Sequence, residues 1–121
     1  MKKLILALLF VIVSLTGKAQ PSTMNAYAIQ VGYWNYIDED WDYKPLEPCA
    51  VSFILQGNVI IANDAAGSTY YTYELFTETA TRISWRALDE KQLECIVSLS
   101  NVDDIRCFVV MYNDIIYRYY W

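Results

Sequence analysis

The stretch Tyr33-Trp34-Asn35-Tyr36-Ile37-Asp38-Glu39-Asp40-Trp41-Asp42-Tyr43 sets four carboxylates among five aromatic rings. Asp38, Asp40 and Asp42 have the first, third and fifth spacing of a calcium loop. The sixth position is Tyr43, where that loop needs Gly, and the twelfth is Cys49, where it needs a bidentate Glu. The segment is read either as a solvated loop with its aromatics folded back onto the barrel or, functionally, as a rim or lid. Tyr36, Trp41 and Tyr43 are its candidate ring contacts for an apolar or sugar-like ligand. Asp40 and Asp42 are its candidate hydrogen-bond acceptors.

Other chemistry is scarce. The chain has no His, so Ser-His and Cys-His nucleophiles and an imidazole base are excluded. Carboxylates crowded on one loop cannot flank a sugar from two sides. No catalytic residue is assigned, and the expectation is a protein that is not an enzyme. Three cysteines without CxxC spacing, and no His, give no metal centre, and no cofactor is implied.

The elements that must position these residues are strands. Past residue 23 the chain is rich in β-branched and aromatic residues, and no 3.6-residue apolar stripe appears. Eight segments are expected, at about 25–34, 49–56, 58–63, 68–76, 80–88, 92–99, 105–112 and 114–121. Short polar turns join them: Gln56-Gly57-Asn58, 64–67, Asp89-Glu90-Lys91, 101–104 and Asn113-Asp114. The segment 35–48 is read as a long loop. Consecutive strands on short turns make an all-β antiparallel meander. A small closed up-and-down barrel is the expected architecture, with a two-sheet β-sandwich as the alternative.

Period-two alternation assigns faces. Ile83, Trp85 and Ala87 are expected inside, as are Leu93, Cys95, Val97 and Leu99. Ile105, Cys107, Val109 and Met111 form the inward set of the next segment. A turn centred on Asn101 places Cys95 opposite Cys107, which makes that pair the candidate disulfide and leaves Cys49 free or paired between chains. The alternative is two free buried thiols acting as small apolar fillers.

The first residues supply a compartment. Lys2 and Lys3 precede an apolar run, Leu4 to Leu15, and Gly17 and Ala19 are small residues ahead of a cut before Gln20. That is the layout of a cleaved signal peptide over 1–19, leaving 20–121 as a single domain. The expected location is exported, periplasmic or extracellular, in a form that suits a bacterial exporter. No membrane span remains after cleavage: the run is short of the roughly 20 residues a transmembrane helix needs. Ile115, Tyr117, Tyr119 and Trp121 alternate like the last strand of an outer-membrane barrel, but the chain is too short for eight membrane strands, and a soluble last strand is expected. Nine basic residues face fourteen acidic ones, and three of the nine, Lys2, Lys3 and Lys18, leave with the signal, so the net charge moves from −5 to −8. Such a chain repels phosphate backbones, so nucleic acid is excluded as a partner.

Gly32-Tyr33-Trp34 near the end of the first strand is similar to the G-x-W of lipocalin-like (calycin) barrels. Arg118 on the last strand resembles that family's late Arg, which lies over the Trp. The resemblance implies an eight-stranded meander with an opening under the first loop and an apolar site inside. It assigns Gly32, Trp34 and Arg118 structural roles, and the inward Trp85 joins them. The chain is shorter than the family and lacks a convincing Thr-Asp-Tyr motif. The expected function is a small exported binding protein for an apolar or sugar-like ligand. The alternative is a protein–protein interaction module or inhibitor.

Overall fold

The computed structural model describes residues 22–64 and 67–121. The segment 1–19, expected from the sequence to be a signal peptide, lies outside the described residues. Nine strands follow in order: β1 (Ser22–Asn35), β2 (Asp40–Tyr43), β3 (Glu47–Gln56), β4 (Val59–Ala62), β5 (Thr69–Glu78), β6 (Arg82–Asp89), β7 (Glu94–Val102), β8 (Ile105–Met111) and β9 (Ile115–Tyr120). All neighbours are antiparallel. The meander from β3 to β9 closes through β1, whose Ala28–Tyr33 stretch pairs with β9. The fold is therefore an eight-stranded closed barrel with one extra strand, and closure decides it against the sandwich.

The extra strand is β2, inside the segment read as a loop. Tyr43 pairs with Gly32 and Trp41 with Trp34, so the chain turns at residues 36–39 and runs back along β1. β3 then takes over the same edge of β1 farther down. A bulge between Ala26 and Ala28 lets the 14-residue β1 bend while it serves both β3 and β9.

Paired residues in a ladder share a face, so rows of partners can be followed around the barrel. One row runs Ile83, Leu99, Phe108, Tyr119, Ile29 and points inward. Phe53, Phe108 and Tyr119 fill the barrel axis, with the Phe53 ring 4.7 Å from each of the other two. Phe53 is 1% exposed and Phe108 is fully buried. Ile83, Val97 and Val110 complete the packing. The interior is a side-chain core, as expected of a small barrel.

The inward reading holds for Ile83 and Ala87, for Trp85 at partial burial, and for Cys95, Val97 and Leu99. Leu93 precedes β7 and is exposed. The set in β8 is corrected. Val102 pairs with Ile105, so the turn is the two residues Asp103 and Asp104, with φ of 53° and 64°. Positive φ at both positions is the type I′ pattern that matches strand twist. Asn101 stays in the strand. Phe108 and Val110 consequently face the core, while Cys107, Val109 and Met111 face out.

The candidate disulfide falls with that register. Cys95 pairs with Ala87 inside the barrel. Cys107 pairs with Ser100, five residues beyond Cys95, and an odd separation puts the two thiols on opposite faces. Cys49, Cys95 and Cys107 are all free. Burial pushes the Cys95 thiol up to about 12 and the Cys107 thiol up to about 11.

Candidate functional site: an outer groove under the first hairpin

Asn35 organises the tip of the β1–β2 hairpin. Its Oδ1 accepts the backbone N–H of Ile37 at 2.9 Å and of Asp38 at 3.1 Å. Its Nδ2 donates to Asp38 Oδ2 at 3.2 Å and to Asp42 Oδ2 at 3.0 Å. The side chain mimics a backbone turn, as Asn does in tight loops. Asp40 Oδ1 accepts the N–H of Trp41 at 2.8 Å. The carboxylates of Asp38, Asp40 and Asp42 are thus engaged in shaping the hairpin itself.

Period two then splits the candidate residues. Trp41 and Tyr43 share a face with Trp34 and Gly32, and that face continues through Ile116, Met111 and Ile96 on the outside of the barrel. Asp40 and Asp42 point to the opposite face, and Tyr36 stands exposed at the tip. Trp41 and Tyr43 are brought together; Tyr36, Asp40 and Asp42 do not join them.

Gly32 makes this arrangement possible. A Cβ there would lie 2.7 Å from Ile116 Cγ2 and 2.8 Å from Tyr43 Cδ1. The Tyr43 ring therefore lies directly over the glycine. Arg118 stacks on the same ring, its guanidinium carbon 3.9 Å from the centroid, and donates to the Tyr43 hydroxyl. Trp34 packs edge-on against Trp41 at 5.2 Å. The late Arg thus has Tyr43 as its ring partner, where the family resemblance pointed to Trp34.

The result is a groove of about 310 Å³ on the outer face. Trp41, Tyr43 and Arg118 form one wall. Phe76, Thr77 and Arg82 form the other, where two bulges bend β5 along β6. Ser84, Ser98, Val109 and Met111 lie between them. Ser84 and Ser98 are 4% and 7% exposed, and their hydroxyls bond to each other at 2.8 Å. Arg82, Ser84 and Ser98 were missed as site residues. For Arg82 and Ser84 the signal was present as the Arg82, Ser84, Arg86 alternation, and for Ser98 as the Glu94, Ile96, Ser98 one; both read equally well as a solvated face.

A larger cleft of about 420 Å³ opens at one end of the barrel, between Tyr70, Tyr112, Tyr117 and Asp64, Asp89, Asp114. Its polar centre is structural. Asp89 accepts the N–H groups of Lys91 and Leu93, both at 2.9 Å, and the Tyr112 hydroxyl at 2.8 Å. Burial alone would raise the Asp89 pKa, but the three donated hydrogen bonds outweigh it and hold the carboxyl below its usual value. Burial, and then donation to Asp89, push Tyr112 upward.

A depressed carboxyl pKa in the fold contributes stability above the unfolded value, near 3.9, and that stability is lost as pH falls through the lower folded value. Asp89→Asn should cost about 1.5–3 kcal/mol at neutral pH. The gap between the two proteins should close as the acid range is entered. Urea unfolding at descending pH measures it, and a gap that stays constant with pH would exclude the carboxylate as its source.

Compared with known proteins, the chain matches no family model, no curated sequence and no solved structure.

Proposed function

We propose that the protein is an exported, lipocalin-like and non-catalytic binding protein that holds an apolar or sugar-like ligand in the outer groove under the β1–β2 hairpin. One observation carries this reading: the Tyr43 ring seats on Gly32, so that Trp41 and Tyr43 wall a groove. The eight-stranded closed meander supports the lipocalin-like part. The packed axis moves the ligand from the barrel interior to the outer face. Ring faces that pack against a ligand contribute through buried area at small entropic cost.

Native mass spectrometry of the protein from its secreting cell tests the reading. Added mass that vanishes on denaturation is expected. Trp41→Ala should weaken ligand retention about tenfold, equivalent to ~1.4 kcal/mol, in a protein that still folds. A wild-type protein without added mass, or a Trp41→Ala protein that retains the ligand equally, overturns it.

A second reading, a protein-interaction module, is favoured by the exposed rings along β5. Tyr71, Tyr73, Leu75 and Phe76 are each about half exposed, a density unusual for a solvated strand. It requires a protein partner whose association slows at high salt if the acidic charge steers it. A low-salt pull-down that recovers no partner removes this reading.

A further inference from the structure

We infer that the outer groove selects a ligand with an oxyanion head, a carboxylate or a phosphate, carried on a ring-sized body. The inference rests on the ligand-binding reading above and adds the chemistry of the head.

Charge placement is the first observation. The chain holds fourteen acidic residues, yet no carboxylate lines the groove. Two arginines do, Arg82 from β6 and Arg118 from β9. Among the described residues the single ion pair is Arg86 with Glu74, on neither of these side chains. Arg118 donates to a neutral acceptor, the Tyr43 hydroxyl. Two guanidiniums in one groove without a carboxylate partner form a local positive field in an acidic protein. Guanidinium forks match carboxylate and phosphate oxygens in pairs.

The second observation is independent of charge. In the buried Ser84–Ser98 pair one hydroxyl donates to the other. Each hydroxyl has the other as its partner, and the accepting one keeps a proton that it can offer to a ligand. Both serines are more than nine-tenths buried and both line the groove. Buried hydroxyl protons are normally matched with an acceptor. An oxyanion in the groove supplies one, and an ammonium or an aliphatic group does not.

The cross-strand rows bring these donors together. Ser84, Ser98, Val109 and Arg118 occupy one row across four strands, and Arg82, Ser100 and Cys107 occupy the adjacent one. Burial pushes the Cys107 thiol up, and both guanidiniums pull it back down. Trp41, Phe76, Val109 and Met111 supply apolar contact for the body of the ligand.

Calorimetric titration of the folded protein with matched probes tests the inference. The probes are naphthalene-2-carboxylate, 2-naphthyl phosphate and the neutral naphthalene-2-carboxamide, together with glucuronate and glucuronamide. An anionic probe should bind at least about tenfold more tightly than its amide, and the advantage should shrink as salt is raised. Whichever of carboxylate or phosphate binds more tightly identifies the head. Arg82→Gln and Arg118→Gln should each remove most of the advantage, read as the ratio of anion to amide affinity within the same variant. Arg82→Gln does not touch Tyr43, so it separates loss of charge from disturbance of the hairpin. Amides that match their anions overturn the oxyanion head and leave the groove as a binding site. An advantage that survives both substitutions overturns the assignment to these arginines. No binding by any probe at millimolar concentration overturns the groove reading and this inference with it.

Discussion

Phe108→Ala should remove about 3–5 kcal/mol of stability, the range for emptying a buried aromatic site in a packed core. Small domains hold roughly 5–15 kcal/mol in total, so this one change takes a large share. The position explains the size. Phe108 is fully buried, its ring is 4.7 Å from Phe53 and 6.4 Å from both Tyr70 and Tyr119, and its neighbours sit on strands closed into a ring. A closed barrel cannot collapse onto a void as freely as an open sheet edge can, so the cavity term is retained nearly in full. Phe76→Ala is the matched control, since Phe76 is 48% exposed and contributes chiefly through Arg86 at 4.9 Å. It should cost less than about 1 kcal/mol. Urea unfolding of the two variants gives both numbers. A Phe108→Ala loss as small as that of Phe76→Ala would contradict the packed axis.

The strands and their order were legible because alternation and turn residues are local signals. Gln56-Gly57-Asn58 marked a hairpin, and Gly57 takes φ +62° there. Ile83, Ala87, Val97 and Leu99 fall on the core face that their alternation assigned. Two features were not legible, for different reasons. β2 was hidden because its alternation, Asp40-Trp41-Asp42-Tyr43, carries strong charge and reads as a solvated loop until Gly32 is seen to offer it a seat. The register of β7 on β8 was hidden because Asn101 is as good a turn former as Asp103 or Asp104. Left-handed φ at both aspartates decided it, and the slip reversed the face of every residue in β8. Half of the site followed from the hairpin, through Trp41 and Tyr43. The other half, Arg82, Ser84 and Ser98, arrives from strands 39 or more residues beyond Tyr43, and no local pattern encodes that closure.

Gly32→Val should be the most costly single change at the groove. The backbone at Gly32 has no positive φ, so any effect is steric. Two contributions oppose each other. Replacing Gly lowers the entropy of the unfolded chain and stabilises by about 0.4–1 kcal/mol. Against that, the new Cβ alone would sit 2.7 Å from Ile116 and 2.8 Å from Tyr43, and the two methyl groups of Val come closer still. Ile116 is only 6% exposed and cannot retreat, whereas Tyr43 is on the surface and can. Overpacking of this kind costs about 1–3 kcal/mol, so the steric contribution wins and the net change is a loss. Its consequence for binding exceeds its consequence for folding. A Tyr43 ring driven off Gly32 abandons Arg118 and opens the wall that Trp41 shares, so ligand retention should fall further than Trp41→Ala alone brings about. A double-mutant cycle with Gly32→Ala and Tyr43→Ala isolates the contact. With the ring removed, the glycine substitution should become less costly by at least about 0.5 kcal/mol, the part that remains being the clash with Ile116. Additivity of the two substitutions would mean that Tyr43 does not rest on Gly32.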